Sequence, residues 1–347
     1  MRQTLALLID AYRDLNSRKL FWITLAISGA IIIALAMIGV DGDAITFFRM
    51  RLEMHGFIDP SALYRELIIS VFIIGIWLTW GAIALALIST AGVFPDLISS
   101  GSIDLYLSKP ISRLRLFVTK YFTGLLFVAL QVSMFMLGCF VVMGIRIHEW
   151  RPSLFLAIPL IVAMFSYLFA FSTLVGVWTR SAVAAILLTA LVWLLCGVVQ
   201  RVEPWLLLNR LALEQANARI ERLNHVAPSE FYAQQASDLQ THERWFGFFH
   251  QLFAAARAIL PKTTETTNLL DRYLMSRQEL TPSIPNQSDD NSGPTFFGAS
   301  RRDQDVAMAE VQKQMLTRTP FSIIGSSLLC ELVVLVFAGW LFCRRDY

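Results

Sequence analysis

The chain has 347 residues, 56% of them hydrophobic and 16% charged, with a mean hydropathy of +0.57 and a formal net charge of +3. Soluble domains carry about 25% charged residues, so this composition excludes an ordinary water-soluble domain, and the scattered basic residues exclude a clustered nucleic-acid surface. The four cysteines (Cys139, Cys196, Cys330, Cys343) form no C-x-x-C pair and all fall in apolar runs, where they read as buried thiols.

Crossing about 30 Å of hydrocarbon takes roughly 20 apolar residues in a helix. Before the first such run, Leu5, Leu8, Ile9, Tyr12 and Leu15 recur at helical spacing with Asp10 and Asp14 among them. Residues 1–19 therefore read as an amphipathic interfacial helix. The run behind it continues to Val40, longer than a signal peptide's apolar core, so an uncleaved span is expected. Six spans follow from length and composition: Leu20–Val40, Leu67–Ala91, Leu116–Gly144, Ser153–Trp178, Ala182–Gln200 and Phe321–Cys343. The expected fold is an all-α polytopic membrane protein with six transmembrane helices. Pro159 in the fourth span predicts a kink, and Lys120 in the third is placed to snorkel to the surface.

Between the second and third spans lies a polar, turn-rich segment, 92–115, GVFPDLISSGSIDLYLSKPISRLR. Pro95 suits a helix first turn and Gly101 its C-terminal stop, which predicts a short surface helix joined to two spans. After the fifth span, 201–320 reads as a largely helical extracytoplasmic domain. Helices are expected over Leu206–Leu223 and Ser229–Leu260, with Ser229 as cap and Pro261 just past the end. Trp245, Phe246, Phe248, Phe249, Leu252, Phe253, Ile259 and Leu260 make the second helix apolar over much of its circumference. That pattern fits either a helix lying against the outer leaflet or a core helix of the insertion. Residues 281–300, rich in Pro, Ser, Asn and Gly, read as a loop. The last span and tail, 321–347, close the chain.

Placing both termini in the cytosol puts ten Lys/Arg in the inside segments 1–19, 92–115, 179–181 and 344–347, against five in the short outside loops 41–66 and 145–152. The bias has the sign of the positive-inside rule, from which the long 201–320 segment is exempt. An inner (cytoplasmic) membrane location is the matching expectation.

No G-x-x-x-x-G-K-[ST] phosphate loop, H-E-x-x-H zinc site or G-x-S-x-G elbow occurs. The expectation is no catalytic residue and no metal site; the five histidines lack ligand spacing apart from a loose His242–His250 pair and read as solvated. Glu331 is the one carboxylate well inside a span, either a hydrogen-bonded structural group or a pathway residue. A passive channel, an ion-driven carrier, a structural subunit and the membrane half of an externally powered pump all fit these absences.

Within 92–115, the runs Phe94-Pro95-Asp96-Leu97-Ile98, Ser100-Gly101-Ser102-Ile103-Asp104 and Leu107-Ser108-Lys109-Pro110-Ile111-Ser112-Arg113 resemble the cytosolic segment after the second span of ABC-2-type transporter permeases. There the segment reads as an aromatic or acidic stretch, a G-x-[IL]-[DE] step and L-[ST]-[KR]-P-[IV]-[ST]-R. The likeness is close over about 20 residues, and the six-span layout with a large insertion before the last helix matches along the chain. The insertion itself carries no motif of the family. The resemblance implies a coupling helix that docks on a cytosolic ABC ATPase subunit, with ATP and Mg bound by that partner and no cofactor on this chain. It implies a second permease copy or a homologous permease as the other half of a dimer. Apolar anchors are then expected at Phe94, Leu97, Ile98, Ile103 and Leu105, and charged contacts at Asp96, Asp104, Lys109 and Arg113. A membrane scaffold passing ATPase force to 201–320 stays compatible with the sequence. A secondary carrier would need internal repeats and several midplane ionisable groups, which are not evident.

The topology is testable by cysteine accessibility: Ser102→Cys should react from the cytosolic face and Ser288→Cys from the outside. Reaction of Ser288→Cys from the cytosol overturns the orientation.

Overall fold

The computed structural model describes residues 19–41, 44–47, 50–53, 65–99, 112–146, 148, 150–274 and 301–344. The expected interfacial helix up to residue 18, the Gly101 stop and the 281–300 loop lie outside the described residues. Two compact units divide the chain, one of 1–193, 265–275 and 328–347, the other of 194–264 and 276–327.

In the first unit, α1 (Lys19–Ala36) leads into β1 (Ile38–Asp41), β2 (Ala44–Phe47) and β3 (Met50–Glu53), an antiparallel meander in the order β1-β2-β3. This small sheet departs from an all-α chain. Its register pairs Ile38 with Phe47 and Phe47 with Met50, then Val40 with Ile45 and Ile45 with Leu52. Apolar residues thus take alternate, mutually paired positions across all three strands, the pattern that fixes register. The first span ends at Ala36 because the period-2 alternation begins there.

A π-helical segment, Arg65–Ala82, runs into α2 (Ile83–Thr90), and the turn at Ala91–Gly92 leads to α3 (Val93–Ser99). Next come α4 (Arg113–Arg146), a 3-10 turn at Pro152–Leu156 and α5 (Ala157–Thr179). Ser112 caps α4 by accepting the Arg115 N–H at 3.3 Å. Pro159 makes no kink: it stands in the first turn of α5, where a backbone N–H has no intrahelical acceptor to lose. α5 stops at Arg180, whose left-handed backbone (φ 56°) lets its N–H bond the Gly176 carbonyl at 3.0 Å. Ser181 then caps the next helix through the Ala184 N–H at 3.3 Å.

That next helix, α6, runs unbroken over Ala182–Val226 with Pro204 inside it. The helix expected over Leu206–Leu223 is therefore a continuation of the fifth span. At 45 residues it is about 68 Å long, more than twice the hydrocarbon thickness. It is followed by α7 (Glu230–Ile259), α8 (Thr263–Leu274), α9 (Arg301–Thr317) and α10 (Pro320–Arg344). Ser229 caps α7 as expected, accepting the Tyr232 N–H at 3.3 Å. Pro320 takes the first position of α10 behind Thr319, whose hydroxyl accepts the Ser322 N–H at 3.4 Å. Among the described residues five helical stretches are long and apolar enough to cross a bilayer: Gly75–Ile98, Arg113–Arg146, Pro152–Thr179, Ala182–Val226 and Pro320–Arg344. Phe21–Ala36 is a shorter apolar helix. The protein is a multi-pass integral membrane protein.

The second unit is a helical bundle built on the C-terminal part of α6. Ala212, Leu213, Ala216 and Ile220 form one buried face of α6, closed by Leu239 of α7 and Ala307 of α9. Arg219 pairs with Asp303 at 3.0 Å toward one end. At the other, Glu203 is buried and gathers three basic groups: Arg257 at 3.2 Å, His250 at 3.5 Å and Arg318 at 3.6 Å. One carboxylate thereby ties α6 to α7 and to the segment joining α9 and α10. Removing one partner of a buried ion pair leaves the others uncompensated and costs about 3–5 kcal/mol. Glu203→Gln should fall near the lower end, since the three basic side chains keep some exposure, and should raise amide exchange in α7 and α9. Unchanged exchange there would show that Glu203 is not what holds the bundle.

Candidate functional site

α3 is only seven residues long, and its composition decides how it sits. Val93, Phe94, Leu97 and Ile98 fall on one face and are all buried, while Asp96 points outward and is exposed. The Phe94 ring lies 5.1 Å from Phe117 of α4, 6.5 Å from Phe169 of α5 and 6.4 Å from Phe342 of α10. Phe117 and Phe342 are themselves 5.7 Å apart. Beside this cluster Pro95 rests on α5 at Gly176, where a Cβ would stand 3.1 Å from Pro95 Cδ. Gly124 of α4 admits the Phe169 ring in the same way, a Cβ there falling 2.7 Å from it. Arg113, at the start of α4, donates to the Cys343 carbonyl at 3.4 Å, bringing the end of α10 to the same place.

This placement differs from the expected one. Phe94, Leu97 and Ile98 were expected to project as anchors for a partner, and their side chains pack into the chain's own bundle instead. A short helix has one apolar face, and here three spans cover it. Asp96 is exposed at the surface of α3. Ile103, Asp104, Leu105 and Lys109 lie outside the described residues.

A second locus lies inside the bundle. Glu331, on α10, is buried, and each of its oxygens accepts one hydroxyl: Tyr121 Oη of α4 donates to Oε1 at 2.8 Å and Ser166 Oγ of α5 donates to Oε2 at 2.8 Å. Each hydroxyl also has a backbone acceptor in reach, Ser166 O at 3.1 Å for Tyr121 and Ala163 O at 2.8 Å for Ser166. A hydroxyl has one proton to give, so both protons can turn to the carboxylate or fall back on the main chain. No hydroxyl is then stranded whichever way the carboxyl is protonated. Lys120, expected to snorkel, is buried.

Nearer α1, a crevice is lined by Thr24, Ser28, Trp77 and Gln131 among apolar neighbours. Trp77 Nε1 and Gln131 Nε2 are buried there without a hydrogen-bond acceptor among the described residues. Sequence reasoning passed over this pair, and also over Tyr121 and Ser166, because nothing local marks them. The Glu203 cluster did leave a trace: His250 and Arg257 stand seven residues apart on one helical face. His250, read as solvated, is in fact drawn against Glu203. Among the described residues no three His, Cys, Asp or Glu side chains gather to hold a metal.

A family model described as ABC-2 family transporter protein matches residues 17–347. No curated protein and no solved structure matches the chain.

Glu331→Gln keeps one acceptor and lets the displaced hydroxyl return to its backbone carbonyl. The variant should insert and fold, with stability lowered by about 1–2 kcal/mol, the difference between charged and neutral hydrogen bonds. Loss of the folded protein in a thermal-shift measurement would contradict this double-acceptor arrangement.

Proposed function

The chain belongs to the ABC-2 transporter family, and we propose that it forms the translocation pathway of an exporter-like pump as one half of a permease dimer. The permease is the membrane component of transport and is not itself catalytic. On this reading two copies of a separate cytosolic ATPase bind ATP and Mg and drive alternating access, and the second permease is another copy or a homologue. Closed two-fold symmetry is the default for such assemblies. Both termini and 92–115 face the cytosol across the inner membrane, and 201–320 lies outside.

One observation carries the coupling assignment. α3 buries Phe94 among α4, α5 and α10 yet leaves Asp96 exposed on the same seven residues. A push on the exposed side of so short a helix is delivered to three spans at once, because the packed core transmits displacement rather than absorbing it. Asp96 meets a basic group of the ATPase, and Phe94, Leu97 and Ile98 couple that contact to the bundle from within. Arg113 and the residues of 103–109 complete the contact. Glu331 and the Trp77–Gln131 crevice are the polar groups inside the bundle that a cargo would meet. The scaffold alternative draws support from α6, one rigid helix long enough to carry force from the membrane into the Glu203-bound bundle.

Asp96→Lys should leave membrane insertion intact, since the side chain is exposed, while lowering recovery of the co-expressed ATPase several-fold. The isolated chain should show no ATP turnover. Unchanged ATPase recovery together with unchanged ATPase stimulation by the permease would remove α3 from the contact.

A further inference from the structure

α7 changes character at residue 244. Its first half, Glu230–Glu243, is polar, with Glu230, Asp238 and Glu243; its second half, from Trp245 to Ile259, is dominated by aromatic and aliphatic side chains. In that half, two faces separate. Phe246 meets Trp205 with ring centroids 5.9 Å apart, and His250 and Arg257 meet Glu203, so this face packs on α6. On the other face Trp245, Phe248, Leu252 and Ile259 recur at helical spacing, and each is more than half exposed. Phe249, stacked on Trp245 at 5.9 Å, widens the stripe.

The lower end of the stripe is fixed against helices that cross the membrane. Gln200, the last residue of the apolar run of α6, donates to the Pro261 carbonyl at 3.0 Å and accepts the Thr264 N–H at 2.8 Å. The Lys262 N–H donates to Ser327 Oγ at 2.9 Å and its ammonium to the Ser322 carbonyl at 3.4 Å. Ser327 is seven residues into α10, about 10 Å along it. The end of α7 therefore stands abreast of the first turns of a membrane-spanning helix. On the helices that this end meets, Leu195, Val198 and Trp205 of α6 and Phe321 of α10 are exposed apolar side chains. The stripe therefore ends beside two helices of membrane-spanning length and composition, and tryptophans such as Trp205 and Trp245 gather at membrane interfaces.

We propose that the Trp245–Ile259 face of α7 is a lipid-binding surface, immersed in the leaflet at the Gln200 end of α6, with Ile259 deepest and Trp245 at the headgroups. Its occupant is phospholipid rather than a protein partner. The stripe itself carries no charged side chain, and the basic groups of the buried face, His250 and Arg257, are turned to Glu203. The Glu203 cluster then has a second role: it holds the polar face of α7 on α6 and so directs the apolar face outward. The proposal rests on the membrane-spanning character of α6 and α10 and not on the ATPase partnership, so it stands or falls separately from the coupling assignment.

The test uses the full wild-type chain in phosphatidylcholine–phosphatidylglycerol vesicles with a carbene-generating hydrophobic photolabel dissolved in the bilayer. Trypsin cuts after Arg244 and Arg257 release the peptide 245–257 for mass spectrometry. Adducts on 245–257 should exceed those on 223–244 several-fold, with Phe248 and Leu252 as the modified residues. Equal labelling of the two peptides overturns the proposal by placing the face in water. Absence of label on 245–257, with cross-links formed between copies by a reagent at position 252 (Leu252→Cys), overturns it in favour of a second copy of the chain.

Discussion

The Phe94 side chain makes the short helix α3 part of the membrane bundle, because its ring is enclosed by Phe117, Phe169 and Phe342 from three different helices. Burying a phenylalanine stabilises by about 1.5–3 kcal/mol, and aromatic pairs in tilted or edge geometry add about 0.5–1.5 kcal/mol each. Those magnitudes exceed what seven residues of helix supply alone, since isolated helices below about 12–15 residues are marginal. α3 therefore exists as a helix because the bundle holds it. Its position and that of the spans cannot vary independently. Gly176 and Gly124 belong to the same constraint, one admitting Pro95 and the other the Phe169 ring.

Polar groups inside the apolar regions follow a consistent logic. Hydrocarbon offers no replacement partner, so a buried polar atom is satisfied internally or destabilises the fold. Glu331 is met by two hydroxyls from two other helices, which makes it a cross-link among α4, α5 and α10. Glu203 is met by charge, with two guanidinium groups and an imidazole around one carboxylate. Gln131 and Trp77 depart from the rule, each presenting a buried N–H without an acceptor among the described residues, as do the buried hydroxyls of Ser172, Thr173 and Thr189. Gln131 and Trp77 line the crevice beside Thr24 and Ser28.

Much of the helical architecture was legible because long apolar runs and caps are local signals. Ser229 and Pro261 bracket α7 as their residue types require, and the third, fourth and last spans begin and end within a few residues of where hydropathy turns. The meander at 38–53 is hard to see in the sequence, although Gly42-Asp43 between apolar runs is a hairpin signal, because residues 38–40 continue the first apolar run and 41–53 read as part of a short outside loop. The fifth span was expected to end at Gln200, with a separate helix from Leu206. α6 continues through 201–205 since Glu203 is neutralised by residues about 50 and 115 positions away. The same limit applies to Glu331: the acid was visible, but Tyr121 and Ser166 are separated from it by 210 and 165 residues. For α3, periodicity identified an apolar face and left open whether a partner or the chain's own spans would cover it.

The central claim is that the exposed side of α3 touches an ABC-type ATPase while its buried side moves the spans. Site-specific photo-crosslinking from position 96, with a benzophenone amino acid in place of Asp96 in intact membranes, reads that contact directly. The account predicts a single major adduct with a cytosolic ATP-binding chain, strengthened or weakened by nucleotide. Adducts confined to lipid, or formed with a protein on the opposite side of the membrane, would contradict it.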